Sequence, residues 1–451
     1  YTCSHNFKKK STYLIDRLSS NISIVKFNMV LNTYALLAIL SGILIIAFVY
    51  DDFADRIKVP SIILLILTGI GLNELATLFS IKTPDLKHLL APAGTIALLL
   101  IVLEGALELR VHNRTKATIR KAAASSLIGI LATALTIAAY ISYTTHDSFR
   151  LSLISAIPFS IISSTVAIPT VANMIKTKKD IIVYESTLSD IIGIVFFNFM
   201  IANRYIDGYS FINLGFKLIV VIVISVVSSL IIMLLLKKLK SSARFSLIIS
   251  ILLFVYSISK MLHLSALIVV LIFGMIVNNG DKINYRWFSK YLSYNKQKVD
   301  TKTLYSFTRE LAFVAKAVVF VLFGFTIEIS SIAEAQSIRN GTVIVVIYFI
   351  IRVIALKISR MELLPNLFIA PRGLITIILF LSIPASQAIE GINSGSVLFV
   401  IIVSCTLMPL GFILANRRES NKERENYSEL DVLEYDLNSD NDENVDNDRS
   451  L

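Results

Sequence analysis

Charged side chains are scarce in this sequence of 451 residues. Asp, Glu, Lys and Arg make up 17% of it, whereas an ordinary soluble protein carries roughly a quarter. Hydrophobic residues make up 55%, and the mean hydropathy is +0.72. This composition excludes an ordinary soluble globular protein. The polar–apolar alternation of a membrane β-barrel is also lacking, so we expect helices, which satisfy their backbone hydrogen bonds internally.

Cysteine and histidine are rare as well. The two cysteines, Cys3 and Cys405, lie far apart in the sequence, which excludes a disulfide framework. The five histidines form no pair with metal-ligand spacing. The net charge of +11 would suggest nucleic acid in a soluble protein, but the basic residues lie in short loops between apolar stretches, where membrane topology explains them. We expect neither a nucleic-acid partner nor a cofactor.

Apolar stretches of about 20 residues, long enough to cross a bilayer, recur along the chain. We predict thirteen spans: 30–50, 59–79, 88–107, 119–144, 151–175, 182–203, 214–236, 243–259, 264–278, 307–327, 340–358, 363–385 and 394–415. The predicted fold class is an all-α polytopic membrane protein, and residues 29–415 form its transmembrane domain.

The distribution of Lys and Arg predicts the orientation. Alternate loops are rich in these residues, and the richer set is expected in the cytoplasm. This places Met29 outside and the C-terminal end inside, at the cell (inner) membrane. The polar residues 1–28 are expected to be an extension upstream of the natural start. Residues 416–451, rich in Asp and Glu, are expected to form a disordered cytoplasmic tail.

One carboxylate lies deep in a predicted span. Asp190 follows the predicted helix start at Ile182 by about 12 Å, at 1.5 Å per residue, which is close to the middle of the hydrocarbon layer. A carboxylate at this depth binds a cation, carries a proton or pairs with a basic residue. We interpret Asp190 as the ligand of a monovalent metal cation; a structural aspartate is the alternative.

Other ionisable residues also lie inside predicted spans. Glu185 and Arg372 are interpreted as a structural ion pair, because either charge alone would be costly to bury. Lys316 lies too deep to reach the surface easily, and we interpret it as charge compensation near the ion site or as part of an ion pair. Glu104 fits such a role or a position at the rim. Arg352 is expected to pack or pair.

Two predicted spans contain helix-breaking residues next to hydroxyl groups. Span 151–175 has Pro158 and Pro169 around Ser163, Ser164 and Thr165, and span 363–385 has Pro371, Gly373 and Pro384 around Thr376. The two spans run in opposite directions and occupy corresponding places in the segments 119–203 and 340–415. This arrangement is typical of inverted repeats, whose discontinuous helices cross near mid-membrane and present carbonyls and helix ends to an ion.

These residues resemble a known family, the monovalent cation/proton antiporters of the sodium/hydrogen exchanger superfamily, in the branch with a single essential carboxylate. The segment Glu185-Ser186-Thr187-Leu188-Ser189-Asp190 is similar to the Glu-Ser-x-x-Asn-Asp signature of that branch. Leu103-Glu104-Gly105 is similar to its Glu-Gly motif, and Phe320–Gly324 and Arg372-Gly373 follow in the expected order. The resemblance covers residues 30–415.

The resemblance implies a homodimer in which a mobile core moves against a dimerisation scaffold. It implies that Asp190 binds Na⁺ or H⁺ in turn, with Ser189, Thr165 and Ser164 in the site. Two positions depart from the family pattern: Ser189 replaces the asparagine, and Thr165-Val166-Ala167 replaces Thr-Asp-Pro.

The sequence thus predicts a secondary transporter that exchanges a monovalent cation, in the first place Na⁺, for H⁺. With one deep carboxylate the exchange is expected to be electroneutral. A K⁺/H⁺ antiporter and a cation channel or uniporter of similar architecture are the alternatives. An intramembrane aspartyl protease would need a second deep aspartate, so no enzymatic activity is expected.

Overall fold

The computed structural model describes most of the predicted transmembrane domain. It covers residues 33–57, 60–79, 86–109, 116–171, 174, 176–238, 244–262, 264, 266–279, 301–327, 330 and 333–415. The expected extension at 1–28 and the expected tail at 416–451 lie outside the described residues.

The described part of the chain is built of α-helices and contains no strand. The main helices are α1 (Thr33–Ile57), α2 (Ser61–Leu78), α3 (Lys87–Glu108), α4 (Lys116–Thr145), α5 (Phe149–Ser160), α6 (Ser164–Thr170), α7 (Lys176–Ala202), α8 (Gly208–Lys238), α9 (Arg244–Met261), α10 (Ala266–Asn279), α11 (Thr301–Thr326), α12 (Ala335–Ile358), α13 (Leu374–Leu381) and α14 (Ser394–Ala415).

The predicted fold class is confirmed, because every predicted span overlaps at least one of these helices. Among the described residues, seven helical segments are long and apolar enough to cross a membrane by those criteria alone. Helices α3, α7 and α11 are not among the seven, and they carry the ionisable residues Glu104, Asp190 and Lys316.

The predicted span 363–385 is helical only in its second half. The chain forms turns and extended backbone from Met361 to Gly373 before α13 begins at Leu374. Pro365 and Pro371 explain this, since proline lacks an N–H donor and disfavours helical backbone at the residue before it.

The helices pack into two groups, defined here as bundles. In the core bundle, α4 packs against α5, α7 and α12, and α7 packs against α5 and α6. In the scaffold bundle, α3 packs against α10 and α11, α11 against α1 and α2, and α10 against α8 and α9. Helices α13 and α14 belong to the core bundle: α13 packs on α5, and Phe399 of α14 lies against Gly341 of α12. Helix α3 faces α7 and α13 at the boundary between the bundles.

Helices α2 and α11 of the scaffold bundle approach each other so closely that their backbones touch. A Cβ atom added at Gly69 would lie 2.1 Å from the carbonyl oxygen of Val321, and one added at Gly324 would lie 2.1 Å from that of Ile66. Only glycine permits this approach at either position. Small residues commonly allow such close packing between membrane helices.

Candidate ion-binding site at the helix break

Two interruptions in the core bundle meet each other. Helix α5 ends at Ser160, the backbone is non-helical from Ile161 to Ser163, and α6 follows. The Ser163 N–H donates a hydrogen bond of 2.9 Å to the Pro371 carbonyl oxygen, in the non-helical stretch before α13. A Cβ atom on Gly373 would lie 2.7 Å from Ser163 Oγ, so glycine is needed for this contact. The predicted crossing of two interrupted spans is confirmed, and we call it the break.

Asp190 of α7 lies against the break. Its side chain is 2% exposed. Oδ2 accepts a long hydrogen bond of 3.4 Å from the backbone N–H of Ser164, the first residue of α6. Oδ1 has no hydrogen-bond partner among the described residues. Burying a carboxylate oxygen without a hydrogen-bond donor costs free energy, so Oδ1 is the atom of the site that is available to bind a proton or a cation.

The other predicted site residues also lie at the break and are buried. Ser189 Oγ accepts a hydrogen bond of 2.9 Å from the Ile162 N–H, which satisfies a backbone donor that the interruption leaves free. The hydroxyls of Thr165 and Ser163 lie 2.7 Å apart and share a hydrogen bond. The structure therefore brings Asp190, Ser164, Ser189 and Thr165 together.

The predicted ion pair between Glu185 and Arg372 is wrong: the partner of Glu185 is Arg352 of α12. Both Nη atoms of Arg352 donate to the carboxylate of Glu185, and the Nη2–Oε2 distance is 2.8 Å. Ser125 of α4 donates to the same carboxylate. Glu185 is five residues before Asp190, which is about 140° around a helix. It therefore faces α4 and α12 while Asp190 faces the break.

Arg372 instead holds the two interrupted segments together. Its Nε donates a hydrogen bond of 2.6 Å to the carbonyl oxygen of Phe159, and Nη1 donates one of 2.9 Å to that of Ala370. The guanidinium lies 4.2 Å from the ring centre of Tyr348, a cation–π contact. Arg372 also lines a small cavity together with Ser160, Ser189 and Arg352. Within the described part of the chain it has no carboxylate partner.

Comparison with known proteins identifies the family to which this chain belongs. The family model described as sodium/hydrogen exchanger, transmembrane, matches residues 40–414. The chain belongs to the sodium/hydrogen exchanger family. It is therefore a multi-pass membrane transporter for cation/proton exchange and not an enzyme. The resemblance to the sodium/hydrogen exchangers inferred from the sequence motifs is confirmed at the level of the family.

Two solved structures of the sodium proton antiporter MjNhaP1 from Methanocaldococcus jannaschii are similar to this exchanger in fold. The structure at pH 8 gives a TM-score of 0.62 at 17% sequence identity, over 82% of this chain and 93% of that chain. The structure from electron microscopy gives 0.61 at 17% identity, over 85% and 95%. The comparison with curated proteins finds no match.

Lys316 and Glu104 of the exchanger belong to the scaffold bundle. Both are half-buried, and Glu104 interacts electrostatically with Lys316 and with Arg309. Neither Lys316 nor Glu104 makes a hydrogen bond or ion pair with Asp190 in the described part of the chain. Their role in charge compensation stays a prediction.

A salt bridge joins the two bundles between the start of α7 and the end of α3. Lys179 Nζ of α7 lies 2.9 Å from Glu108 Oε1 of α3, and both side chains are partly exposed.

Helix α7 begins at Lys176, earlier than predicted, because its polar first turn continues the helix beyond the apolar stretch that begins near Ile181.

The donor atoms at the break suit a hard monovalent cation. They are oxygens from a carboxylate, hydroxyls and backbone carbonyls, the ligand type that hard cations prefer. Among the described residues, no cluster of three His, Cys, Asp or Glu side chains could hold a transition metal. The sequence motifs gave no indication of a role for Thr187. Its hydroxyl is buried without a partner among the described residues, one turn before Asp190.

Proposed function

We propose that the protein exchanges Na⁺ for H⁺ and that Asp190 binds the two ions in turn. One observation carries the proposal: Asp190 is buried at the break with Oδ1 unpartnered. An ionised carboxylate in such surroundings is stabilised by a bound cation or removed by protonation. A proton and a cation therefore compete for the same group, and that competition couples their movements.

Exchange becomes obligatory if the core bundle moves past the scaffold bundle only when Asp190 is neutralised. Moving a bare carboxylate through a low-dielectric barrier is costly, whereas the protonated and cation-bound forms carry no net charge at this residue. The boundary between α7 and α3 is where such movement takes place. A homodimer joined through the scaffold bundle, with its C-terminal end in the cytoplasm, is part of this proposal.

The charges of the core bundle support electroneutral exchange. The charge of Glu185 is balanced by Arg352 in a bidentate pair. Asp190 is then the buried carboxylate that is free to exchange ligands, and it carries one positive charge in each direction. Glu104 faces the cations Lys316 and Arg309 in the scaffold bundle, so it is not needed to balance a transported ion.

The test is transport by the purified protein in proteoliposomes with an imposed pH gradient. Addition of Na⁺ should dissipate the gradient, and Li⁺ and K⁺ in separate assays rank the cations. A valinomycin-clamped K⁺ potential should leave the Na⁺-driven signal unchanged. If none of the cations dissipates the pH gradient, cation/proton exchange is refuted. Na⁺ flux driven by the membrane potential would refute electroneutrality alone.

A further inference from the structure

The hydroxyl of Thr187 in α7 is a buried polar group at the boundary between the two bundles. Thr187 lies in the middle of α7 and is 4% exposed, and its Oγ1 has no hydrogen-bond partner among the described residues. Several threonines elsewhere in these helices donate to the carbonyl oxygen one turn earlier. Examples at 2.8 Å are Thr68, Thr136, Thr342 and Thr406. This local bond is the usual way to satisfy a hydroxyl inside a helix.

Thr187 does not form that bond. The carbonyl oxygen of Val183, four residues earlier, accepts instead from Ser186 Oγ at 3.3 Å. The Thr187 hydroxyl is therefore a polar group that is buried, sits in a membrane domain and serves no contact within the described chain. Burying such a group without a partner costs free energy, so a ligand that engages it would recover that cost.

The position of this hydroxyl points to the ion path. Thr187 lies three residues before Asp190, so the two side chains lie on one face of α7, a turn apart. Across the boundary between the bundles, a Cβ atom built on Gly105 of α3 would lie 3.7 Å from Thr187 Oγ1. The hydroxyl thus faces the scaffold bundle, opposite a residue that has no side chain to occupy the space.

Asp190 Oδ1, one turn further along α7, also has no hydrogen-bond partner among the described residues. Two buried oxygen atoms on successive turns therefore lack a partner in the described chain. A monovalent cation bound here would engage both, since a threonine oxygen coordinates a cation while its proton stays available for a carbonyl. We propose, resting on the function proposed above, that the Thr187 hydroxyl is a further ligand of the transported cation and sets its affinity.

The test compares Thr187→Val, which keeps the shape and removes the hydroxyl, with Thr187→Ser, which keeps the hydroxyl. Thr136→Val is the matched control, because it removes a hydroxyl that is satisfied within α4. Two quantities are measured: the KM for Na⁺ in proteoliposomes, and the rise in Tm that Na⁺ produces in the purified protein, which reports binding without transport.

Thr187→Val should raise the KM on the order of tenfold, the loss of one hydrogen-bond-like contact to a charge. Its Na⁺-dependent rise in Tm should shrink, while its Tm without Na⁺ stays at or above that of the wild type because no internal bond is lost. Thr187→Ser and Thr136→Val should keep the wild-type KM.

A wild-type KM and a wild-type Na⁺-dependent Tm rise in Thr187→Val would overturn the inference. So would a lower Tm without Na⁺, which would mean a structural role. If the wild type transports and Asp190→Asn does not, a wild-type KM and a wild-type Na⁺-dependent Tm rise in Thr187→Val refute this inference alone. If wild type responds to no cation, the proposed function fails and this inference fails with it.

Discussion

The ion pair between Glu185 and Arg352 allows a sharp test of how the core bundle is held together. Both side chains are buried, and the pair is bidentate. Arg352 also donates to the carbonyl oxygen of Asn366, at 3.0 Å from Nη2. Removing one member leaves the other charge buried and unpaired, which costs about 3–5 kcal/mol. Glu185→Gln and Arg352→Met should each lower the stability by that amount.

The double variant Glu185→Gln/Arg352→Met leaves no unpaired charge, so its loss should be smaller than the sum of the single losses. We expect a coupling free energy of about 2 kcal/mol or more for directly paired residues. The assay is thermal unfolding of the purified protein in detergent, with stability differences taken at a common temperature. At temperatures where the single variants remain folded, they should still transport.

Arg372 provides the matched control cycle, because it is an equally buried arginine that does not touch Glu185. Arg372→Met should destabilise by itself, since the carbonyl oxygens of Phe159 and Ala370 lose their donor. Its effect should add to that of Glu185→Gln within about 0.5 kcal/mol. Additive effects for Glu185 and Arg352, or strong coupling between Glu185 and Arg372, would refute the assignment of partners.

Three further predictions concern other parts of the molecule. Asp190→Asn should abolish cation-dependent dissipation of a pH gradient while the Tm stays near that of wild type, because the amide oxygen still accepts from Ser164; near-normal exchange by the folded variant would contradict this. Gly69→Ala should lower the Tm and the yield of folded protein, because its Cβ would lie 2.1 Å from the Val321 carbonyl, whereas Gly71→Ala on the same helix meets no atom within 4 Å; equal effects of the two changes would contradict the close packing of α2 and α11. Hydrogen bonds from the side chain and N–H of Ser210 hold the pKa of Asp207, in the exposed loop before α8, below its usual value. This stabilisation is present above the ordinary pKa of Asp and is lost as pH falls through the lowered pKa. The protection factors of amides at the start of α8, which are corrected for the pH dependence of intrinsic exchange, should therefore fall only at acid pH, and Asp207→Ala should abolish that pH dependence.

The parts of the fold that the sequence predicted correctly depend on local properties. A run of about 20 apolar residues is enough to predict a span. Pro158 near the end of α5 and Pro371 just before α13 favour a helix break, and together with the neighbouring hydroxyl residues and Gly373 they indicated the two interrupted spans. Asp190 lies inside an apolar stretch of sequence, and its burial is confirmed.

The partner of Glu185 could not be predicted in the same way. It depends on how α7 is rotated about its axis and on which neighbour lies at that height. Arg352 and Arg372 are both buried arginines in the segment 340–415, and nothing in their local sequence distinguishes them. The five-residue separation of Glu185 and Asp190 directs them to different sides of α7, and that angle separates the two candidates.

Val166 explains how the break is held without the aspartate that the family pattern places there. Val166 is 2% exposed, and its Cγ2 atom lies 2.9 Å from the position of a Cβ on Gly373. The crossing is thus packed by an apolar side chain and closed by the hydrogen bond between Ser163 and Pro371.

This substitution also simplifies the charge balance of the break. With valine at 166, the buried acidic and basic side chains described in the core bundle are Glu185 and Arg352, which cancel, and Asp190 and Arg372. The total charge of these groups is the same whether Asp190 holds Na⁺ or H⁺. The two loaded forms carry the same charge across the membrane. One-for-one exchange is therefore what this set of side chains supports, and a second carboxylate restored by Val166→Asp is the substitution that should disturb it.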